Sequence, residues 1–280
     1  MRAKKSLGQH FLKSERALAA IVEAGRLNSG DTVLEIGPGT GALTEKLLET
    51  GAKVVAVEKD DNLYENLKIK FQNEINSGKL ILIHDDILNF EIENFKLKIA
   101  LPAGRQENYK VVANIPYNIT GAILKKFLSA ECQPKRMVLL VQKEVAERIV
   151  GGRGRQAFTK ESILSISVKV YGRPRYVETV KAGSFAPAPK VDSAIITVED
   201  ISRNFFNRGS RASTISEEFF FKLLKAGFQS KRKKLSSNLS KHFDKKKVNE
   251  AFGKLNLDPN LRAEDLPAEK WGALARLLVS

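Results

Sequence analysis

The sequence has little of what a disulfide framework, a metal cluster or a membrane span requires. Its 280 residues include one cysteine, Cys132, and three scattered histidines. A single cysteine cannot form an intrachain disulfide, a pattern typical of a reducing cytoplasm. So few sulfur and imidazole ligands predict no metal site, and no apolar run approaches the ~20 residues that cross a bilayer. We therefore expect a cytoplasmic protein with neither a metal nor a membrane partner, and the basic amino terminus lacks the apolar core of a signal peptide.

Acidic residues are also scarce relative to basic ones. The chain has 47 Lys and Arg against 32 Asp and Glu, a formal net charge of +15. Residues 201–280 alone hold 17 basic and 8 acidic residues, so +9 of the excess lies in the last part of the chain. Such asymmetry predicts a polyanionic partner, nucleic acid first and an anionic membrane second. The alternative is a basic surface that is merely solvated.

The first two thirds of the chain alternate short apolar runs with helical patterns. The predicted strands are Thr32–Ile36, Lys53–Val57, Leu80–His84, Tyr109–Ala113 and Met137–Val141. The predicted helices between them are Ala42–Thr50, Asn62–Phe71, Thr120–Ser129 and Lys143–Val150. This alternation predicts an α/β, Rossmann-like fold with a mainly parallel, doubly wound sheet. Two later stretches, Ser162–Val170 and Ser193–Val198, are expected to extend that sheet at one edge.

Beyond residue 200 only helical patterns remain. The predicted helices are Phe219–Phe228, Lys231–His242, Lys245–Leu255 and Pro267–Leu278. We therefore expect two domains, residues 1–200 and a small, basic, all-α domain of residues 201–280. The polar stretch Asn204–Ser216 is the expected linker, and Leu101–Asn108 is expected to be a surface insertion.

Three predicted strand ends carry residues suited to an adenosine cofactor. The first strand runs into a glycine turn, Gly37 to Gly41, where the backbone can approach a ligand closely. Glu58 follows the second strand and can accept both hydroxyls of a ribose. Asp85 and Asp86 follow the third strand, where an acid can accept the adenine amino group. These features favour a nucleotide site but leave an NAD enzyme and a methyltransferase equally open.

The fourth strand leads into Asn114-Ile115-Pro116-Tyr117, which favours methyl transfer to an adenine amine. The N6 lone pair of adenine is conjugated into the ring, so two acceptors on its N–H groups would make it more nucleophilic. The Asn114 side-chain oxygen and the Ile115 carbonyl can be these acceptors. Pro116 stiffens the turn, and Tyr117 offers a ring for a flipped-out base, worth about 1–3 kcal/mol.

The order of motifs resembles that of the ribosomal RNA adenine N6-dimethyltransferase family almost end to end. Besides the strand ends above, the matching segments are Lys5–Leu12, Gln142–Ala146, Phe185–Ala194, Phe228–Leu235 and Arg262–Glu264. The resemblance implies a Rossmann-like S-adenosylmethionine methyltransferase fold. The implied reaction transfers two methyl groups to each of two adjacent adenosines near the 3′ end of small-subunit (16S) rRNA. We expect the protein to act as a monomer.

The resemblance also assigns individual residues. The implied S-adenosylmethionine ligands are His10, Leu12, Gly37, Glu58, Asp86 and Asn114. Asp86 is favoured over Asp85 by its spacing to Leu88. Phe185 matches an aromatic that would complete a sandwich around the target adenine opposite Tyr117. From the residues alone, His10 would be a surface residue and Phe185 a core residue.

Basic runs are the candidate RNA contacts. Lys231-Arg232-Lys233-Lys234 opens a predicted helix, and Arg153 and Arg155 lie in a glycine-rich loop after another. Each run alone is usually a solubilising surface, but several beside an adenine site favour phosphate contacts.

Two rival functions stay open at this point. The chain could be an antibiotic-resistance methyltransferase of large-subunit rRNA, against which the intact Pro187–Ala194 run and the C-terminal basic motif argue. It could also be a non-catalytic RNA-binding assembly or transcription factor, against which the unbroken Asn114–Tyr117 tetrapeptide and Glu58 argue.

Overall fold

The structure, a computed structural model, describes residues 9–91, 109–151, 160–207 and 214–279. The chain divides into two compact units, residues 1–146 with 173–201 and residues 147–172 with 202–280. The second unit therefore also takes residues 147–172, which the sequence placed in the first. The expected insertion at 101–108 lies outside the described residues.

A seven-stranded sheet forms the frame of the first unit, with strand order β4-β3-β2-β5-β6-β9-β7. The strands are β2 Thr32–Ile36, β3 Lys53–Glu58, β4 Leu80–His84, β5 Tyr109–Asn114, β6 Arg136–Gln142, β7 Arg173–Val180 and β9 Ser193–Glu199. The first five of the order pair in parallel, and β9 is antiparallel to both of its neighbours. This arrangement confirms the Rossmann-like α/β fold. A separate antiparallel pair joins β1 Phe11–Leu12 to β8 Phe185–Ala186.

Helices precede or follow the parallel strands along the chain. They are α1 Glu15–Gly25, α2 Ala42–Glu49, α3 Asp61–Lys70, α4 Gln72–Asn76, α5 Thr120–Leu128 and α6 Lys143–Val150. A side-chain cap starts α1, where the Ser14 side chain accepts a hydrogen bond from the Ala17 N–H. Leu18 and Ile21 of α1 are buried in the core. All five residues of β2 are buried, as expected for a strand covered on both faces.

The late edge of the sheet differs from the prediction. Ser162–Val170 was expected to be a strand, but Ile163–Lys169 is a helix, α7. Its alternating Ile and Ser residues gave a strand-like period, yet Ser162 and Ser165 form a reciprocal capping box that starts a helix. The strand at this edge is β7 instead. Pro174 and the charged residues of β7 are unusual in a strand, so the sequence pattern did not predict a strand there. They are tolerated because β7 lies at the edge of the sheet, where Pro in strands is mainly found.

Every regular element of the second unit within the described residues is helical. After α7 these are α8 Asn204–Asn207, α9 Glu217–Gly227, α10 Leu235–Leu239, α11 Lys245–Lys254 and α12 Ala268–Val279. Two expectations fail here. Part of the expected linker is the helix α8, whose Phe206 is buried among aromatic rings. The helix expected from residue 231 begins only at Leu235, and the basic run before it forms a turn.

Candidate active site

The carboxyl ends of four neighbouring parallel strands meet at one cleft. Gly37 follows β2, Glu58 ends β3, Asp86 follows β4 and Asn114 ends β5. Ligands of doubly wound sheets bind at this edge. The cleft has a volume of about 270 Å³. The predicted residues among its lining are His10, Leu12, Gly37, Glu58, Asp86, Asn114, Ile115, Pro116 and Tyr117.

The glycine turn leaves its first residue open to the cleft. Gly37 adopts φ +64°, and a Cβ built on it would meet no atom within 4 Å. Its N–H donates to the Val57 carbonyl of the next strand at 2.9 Å, which fixes the turn. Gly41, at the other end of the turn, has φ +81°, and a Cβ built on it would lie 2.5 Å from the Phe71 ring. Gly37 therefore borders ligand space, whereas Gly41 is required by packing.

Glu58 is held as an acceptor at the rim of this turn. Its two carboxylate oxygens accept hydrogen bonds from the Gly39 N–H at 3.0 Å and the Asp60 N–H at 2.9 Å. Burial raises the pKa of Glu58, and these backbone N–H groups oppose that rise. The carboxylate is thus fixed in place, with lone pairs left for hydroxyl donors.

Both acids after β4 line the cleft, but their contacts differ. The Asp86 carboxylate accepts hydrogen bonds from the Lys59 ammonium at 2.7 Å and from the Leu88 N–H at 3.0 Å. Asp85 accepts the Asp86 N–H at 2.7 Å. Burial alone would raise the pKa of Asp86, but the bonds from Lys59 and Leu88 outweigh it, so the pKa is lowered. Asp86 is therefore a carboxylate that can accept a hydrogen bond from an amino group.

One further acid that lines the cleft, Glu35, was not predicted from the sequence. Glu35 lies inside β2, is 1% exposed and lines the cleft. Its carboxyl accepts the Thr44 hydroxyl at 2.7 Å, and Thr44 is itself fully buried. Burial raises the pKa of Glu35 to about 8, although the Thr44 bond opposes the rise. The signal in the sequence was an acid within an otherwise apolar strand.

The amide of Asn114 is oriented by the segment before β1. Its Nδ2 donates to the His10 carbonyl at 3.2 Å, which leaves Oδ1 as the acceptor. The next residue, Ile115, is buried, and no described N–H group donates to its carbonyl. Pro116, with φ −56°, starts the short 3-10 turn Tyr117–Ile119. Two carbonyl-type oxygens with free lone pairs thus follow one another at the end of β5.

The Tyr117 ring is half-buried at the cleft. Its hydroxyl shares a hydrogen bond with the Ser193 hydroxyl at 2.6 Å. Burial raises the pKa of Tyr117, against the effect of Ser193, so the phenol is neutral. The His10 ring lies beside it, with centroids 5.9 Å apart and planes inclined by 21°. His10 Nδ1–H donates to the Pro187 carbonyl at 2.7 Å, which holds the imidazole there.

Phe185 is not among the residues that line the cleft. It pairs with Leu12 in the β1–β8 ribbon, is 5% exposed and belongs to the hydrophobic core. Phe185 is thus buried, as the residues alone suggested, and its place opposite Tyr117 stays a prediction. The ring beside Tyr117 is that of His10, which sequence reasoning by itself had left on the surface.

The described candidate RNA-binding residues lie in the second unit. Lys231, Arg232, Lys233 and Lys234 are all exposed in the turn before α10. Arg153 and Arg155 lie outside the described residues. Among the residues that the structure describes, no group of three or more His, Cys, Asp or Glu side chains could hold a metal ion. Within the same ranges, no helix is long and apolar enough to span a membrane.

Comparisons with known proteins identify the family of the chain. The model of the family described as "Ribosomal RNA adenine dimethylase" matches residues 1–279. A relative from Dehalococcoides mccartyi (strain CBDB1), named "Ribosomal RNA small subunit methyltransferase A", is 41% identical over 276 residues, covering 98% of this chain and 88% of the relative. A solved dimethyladenosine transferase from Plasmodium falciparum has a TM-score of 0.73 and 27% identity, covering 95% of this chain and 96% of that one.

The solved 23S rRNA methyltransferase ErmE has a TM-score of 0.71 at 24% identity, covering 96% of this chain and 100% of that one. A likeness at that identity shows a shared fold alone. The match over residues 1–279 and the 41% identical relative, which covers 98% of this chain, decide more. The methyltransferase interpretation is therefore confirmed over the NAD enzyme, and the chain belongs to the ribosomal RNA adenine dimethylase family.

Proposed function

We propose that the protein uses S-adenosylmethionine to dimethylate N6 of two adjacent adenosines near the 3′ end of small-subunit (16S) rRNA, in the cytoplasm. The name of the 41% identical relative, a small-subunit methyltransferase, supports the substrate. The observation that carries the proposal is the orientation of Asn114. With Nδ2 donating to the His10 carbonyl, Oδ1 is the atom of this side chain that can accept a hydrogen bond from a substrate amine.

The chemistry follows from two adjacent acceptors. An adenine amine is a poor nucleophile because its nitrogen lone pair is delocalised into the ring. Hydrogen bonds from its two N–H groups to Asn114 Oδ1 and the Ile115 carbonyl would localise that lone pair on nitrogen. Since both oxygens are fixed before the substrate arrives, little reorganisation is needed during the reaction. After methyl transfer, N6 must lose a proton. The proton that leaves would be one of those that N6 donates in hydrogen bonds to these two oxygens.

Stacking would hold the base in place. An adenine inside a duplex or loop must leave its stack before an enzyme can reach N6. Tyr117 offers a ring whose hydroxyl is fixed by Ser193, so the ring loses little freedom when a base stacks on it. This contact and the two hydrogen bonds together define the position and the orientation of the amine.

The cleft fits S-adenosylmethionine by its acceptors and its open glycine. Glu58 would accept the ribose hydroxyls, Asp86 would accept the adenine amino group, and Gly37 leaves room for the backbone to approach the cofactor. His10, Leu12 and Asn114 line the same cleft and complete the set of proposed ligands. The bound cofactor would supply an electrophilic methyl group on a sulfonium. The residues present supply orientation and acceptors, and neither role calls for a metal.

The geometry has a consequence for the second methylation. After the first transfer, N6 retains a single hydrogen, so only one of the two proposed hydrogen bonds can form. We therefore expect the two transfers to occur at different rates. A time course of mono- and dimethyladenosine, measured by nucleoside analysis after digestion of the rRNA, would show whether the monomethylated form accumulates.

Isolated ribosomal subunits test the proposed substrate. The protein would be incubated with labelled cofactor and either small or large subunits from cells that lack this methylation, and digested rRNA would be analysed for N6,N6-dimethyladenosine. We expect label in small subunits only, at two adjacent positions that stop primer extension. The Asn114→Ala variant is the matched control and should give no label. Label in large subunits instead would contradict the proposed substrate.

A further inference from the structure

A fully buried amide shapes the turn that carries the basic run of the second unit. Asn238, in α10, is 0% exposed. Its Nδ2 group donates to the Gly227 carbonyl at 2.7 Å and to the Ser230 carbonyl at 3.0 Å. Gly227 ends α9, and Ser230 immediately precedes Lys231. One side-chain amide therefore joins the two ends of the turn from which residues 231–234 emerge.

The rest of this amide is left unsatisfied. Within the described residues, Asn238 Oδ1 and Trp271 Nε1 are the buried side-chain atoms that have no hydrogen-bond partner. A buried acceptor without a donor is unfavourable relative to an apolar group of the same shape. Packing alone would therefore favour a leucine at this position. What the amide adds is its pair of N–H bonds to the turn.

Packing fixes both ends of the same segment. A Cβ on Gly227 would lie 2.3 Å from the Trp271 ring, so α9 approaches that ring as closely as a glycine allows. Phe228 stacks on Trp271, with centroids 5.8 Å apart and planes inclined by 20°. At the far end, the Leu235 N–H donates to the Leu261 carbonyl at 2.8 Å. The four basic side chains between these anchors are all exposed.

We infer that Asn238 is a positioning residue for RNA binding: it orders the 227–230 turn so that Lys231–Lys234 face the phosphate backbone as one fixed group. The inference rests on the proposed role of this run in RNA binding. An ordered run loses less conformational entropy on binding than a loose one. It also places several charges against neighbouring phosphates at the same time, which increases the number of counterions released.

A double-mutant cycle with the full chain tests this inference. Asn238→Asp keeps the shape of the side chain and removes both N–H donors. Asn249→Asp is the matched control, because Asn249 is exposed on α11 and undergoes the same change of charge. Each is made in the wild-type chain and in a variant with Lys231, Arg232, Lys233 and Lys234 all changed to Gln. Binding to unmethylated small ribosomal subunits is measured as a function of salt.

We expect Asn238→Asp to weaken binding by about 5- to 10-fold and to reduce the log–log salt slope by ~0.7–0.9 per lost phosphate contact, with little effect of Asn249→Asp. In the four-Gln background, Asn238→Asp should cause no further loss. A loss that persists in that background would show general destabilisation of the unit and would overturn the inference.

The cycle also separates the inference from the proposed function. If the four-Gln variant binds weakly but Asn238→Asp behaves like Asn249→Asp, the run contacts RNA without help from Asn238, and the inference alone is wrong. If the four-Gln variant binds like the wild type, the RNA-binding role of the run fails, and the inference fails with it.

Discussion

Two glycines of the same turn should respond to alanine in opposite ways. Gly37 and Gly41 both have positive φ, at +64° and +81°. A Cβ on Gly37 would meet no protein atom within 4 Å, and Gly37 lines the cleft proposed for the cofactor. A Cβ on Gly41 would lie 2.5 Å from the Phe71 ring and 3.0 Å from Leu67. Gly37→Ala should therefore impair cofactor binding, and Gly41→Ala should impair stability.

The magnitudes follow from these environments. A left-handed backbone costs an L-residue about 1–2 kcal/mol, and the lower chain entropy of alanine in the unfolded state returns ~0.4–1 kcal/mol. Gly37→Ala should thus lower the free energy of unfolding by about 0–1.6 kcal/mol. Gly41→Ala adds the collision with Phe71 and Leu67, which are 4% and 1% exposed. Such overpacking costs about 1–3 kcal/mol, for a total of about 1–4.6 kcal/mol.

Urea denaturation and calorimetry check both effects. We expect Gly37→Ala to raise the Kd for S-adenosylmethionine by about tenfold or more, because a methyl group that collides with a tightly fitted ligand has the same ~1–3 kcal/mol cost as one in a packed core. Its unfolding midpoint should stay close to that of the wild type, whereas that of Gly41→Ala should drop clearly. Cofactor affinity unchanged in Gly37→Ala would refute the assignment of this turn to the cofactor.

Three further variants test other parts of the site. Tyr117→Ala should slow turnover about 5- to 150-fold because base stacking is lost, and the Kd for the cofactor should stay unchanged. Tyr117→Phe loses only the hydrogen bond to Ser193 and should keep most of the activity in the same methylation assay. Phe185→Ala should lower the free energy of unfolding by about 3–5 kcal/mol, and the single-turnover rate per folded molecule shows whether its ring also reaches the base. The pKa of Glu35 is raised from 4.5 to about 8, so between these pH values the folded chain holds a proton that the unfolded chain has lost. The free energy of unfolding should therefore fall as pH rises from 4.5 to about 8. Glu35→Gln should remove this pH dependence, as measured by urea denaturation across the same pH range.

Local patterns were enough to predict the parallel sheet and the residues at its carboxyl edge. The apolar runs of β2 to β6 are continuous because these strands are covered on both faces. In such a sheet every parallel strand delivers its last residues to one edge, so Glu58, Asp86 and Asn114 could be placed together without a structure. The glycine turn could be placed in the same way.

The misses have two physical origins. The strand β7 contains Pro174 and several charges, which only an edge position tolerates, and the serine cap of α7 outweighed an alternating pattern. The other misses depend on contacts between distant residues. The His10 carbonyl that orients Asn114 is 104 positions away in the chain. Likewise, the pairing of β1 with β8 joins two segments that are distant in the chain, and no local pattern contains that information.

A single-turnover methylation experiment on Asn114→Ala tests the central claim most directly. At saturating cofactor, with small subunits as substrate, we expect a rate at least ~100-fold below that of the wild type, since the variant lacks one of the two acceptors for the amine. RNA affinity, measured in parallel, should stay at the wild-type value. Equal losses in rate and in RNA affinity, or a rate near that of the wild type, would contradict the claim that Asn114 activates the adenine amine.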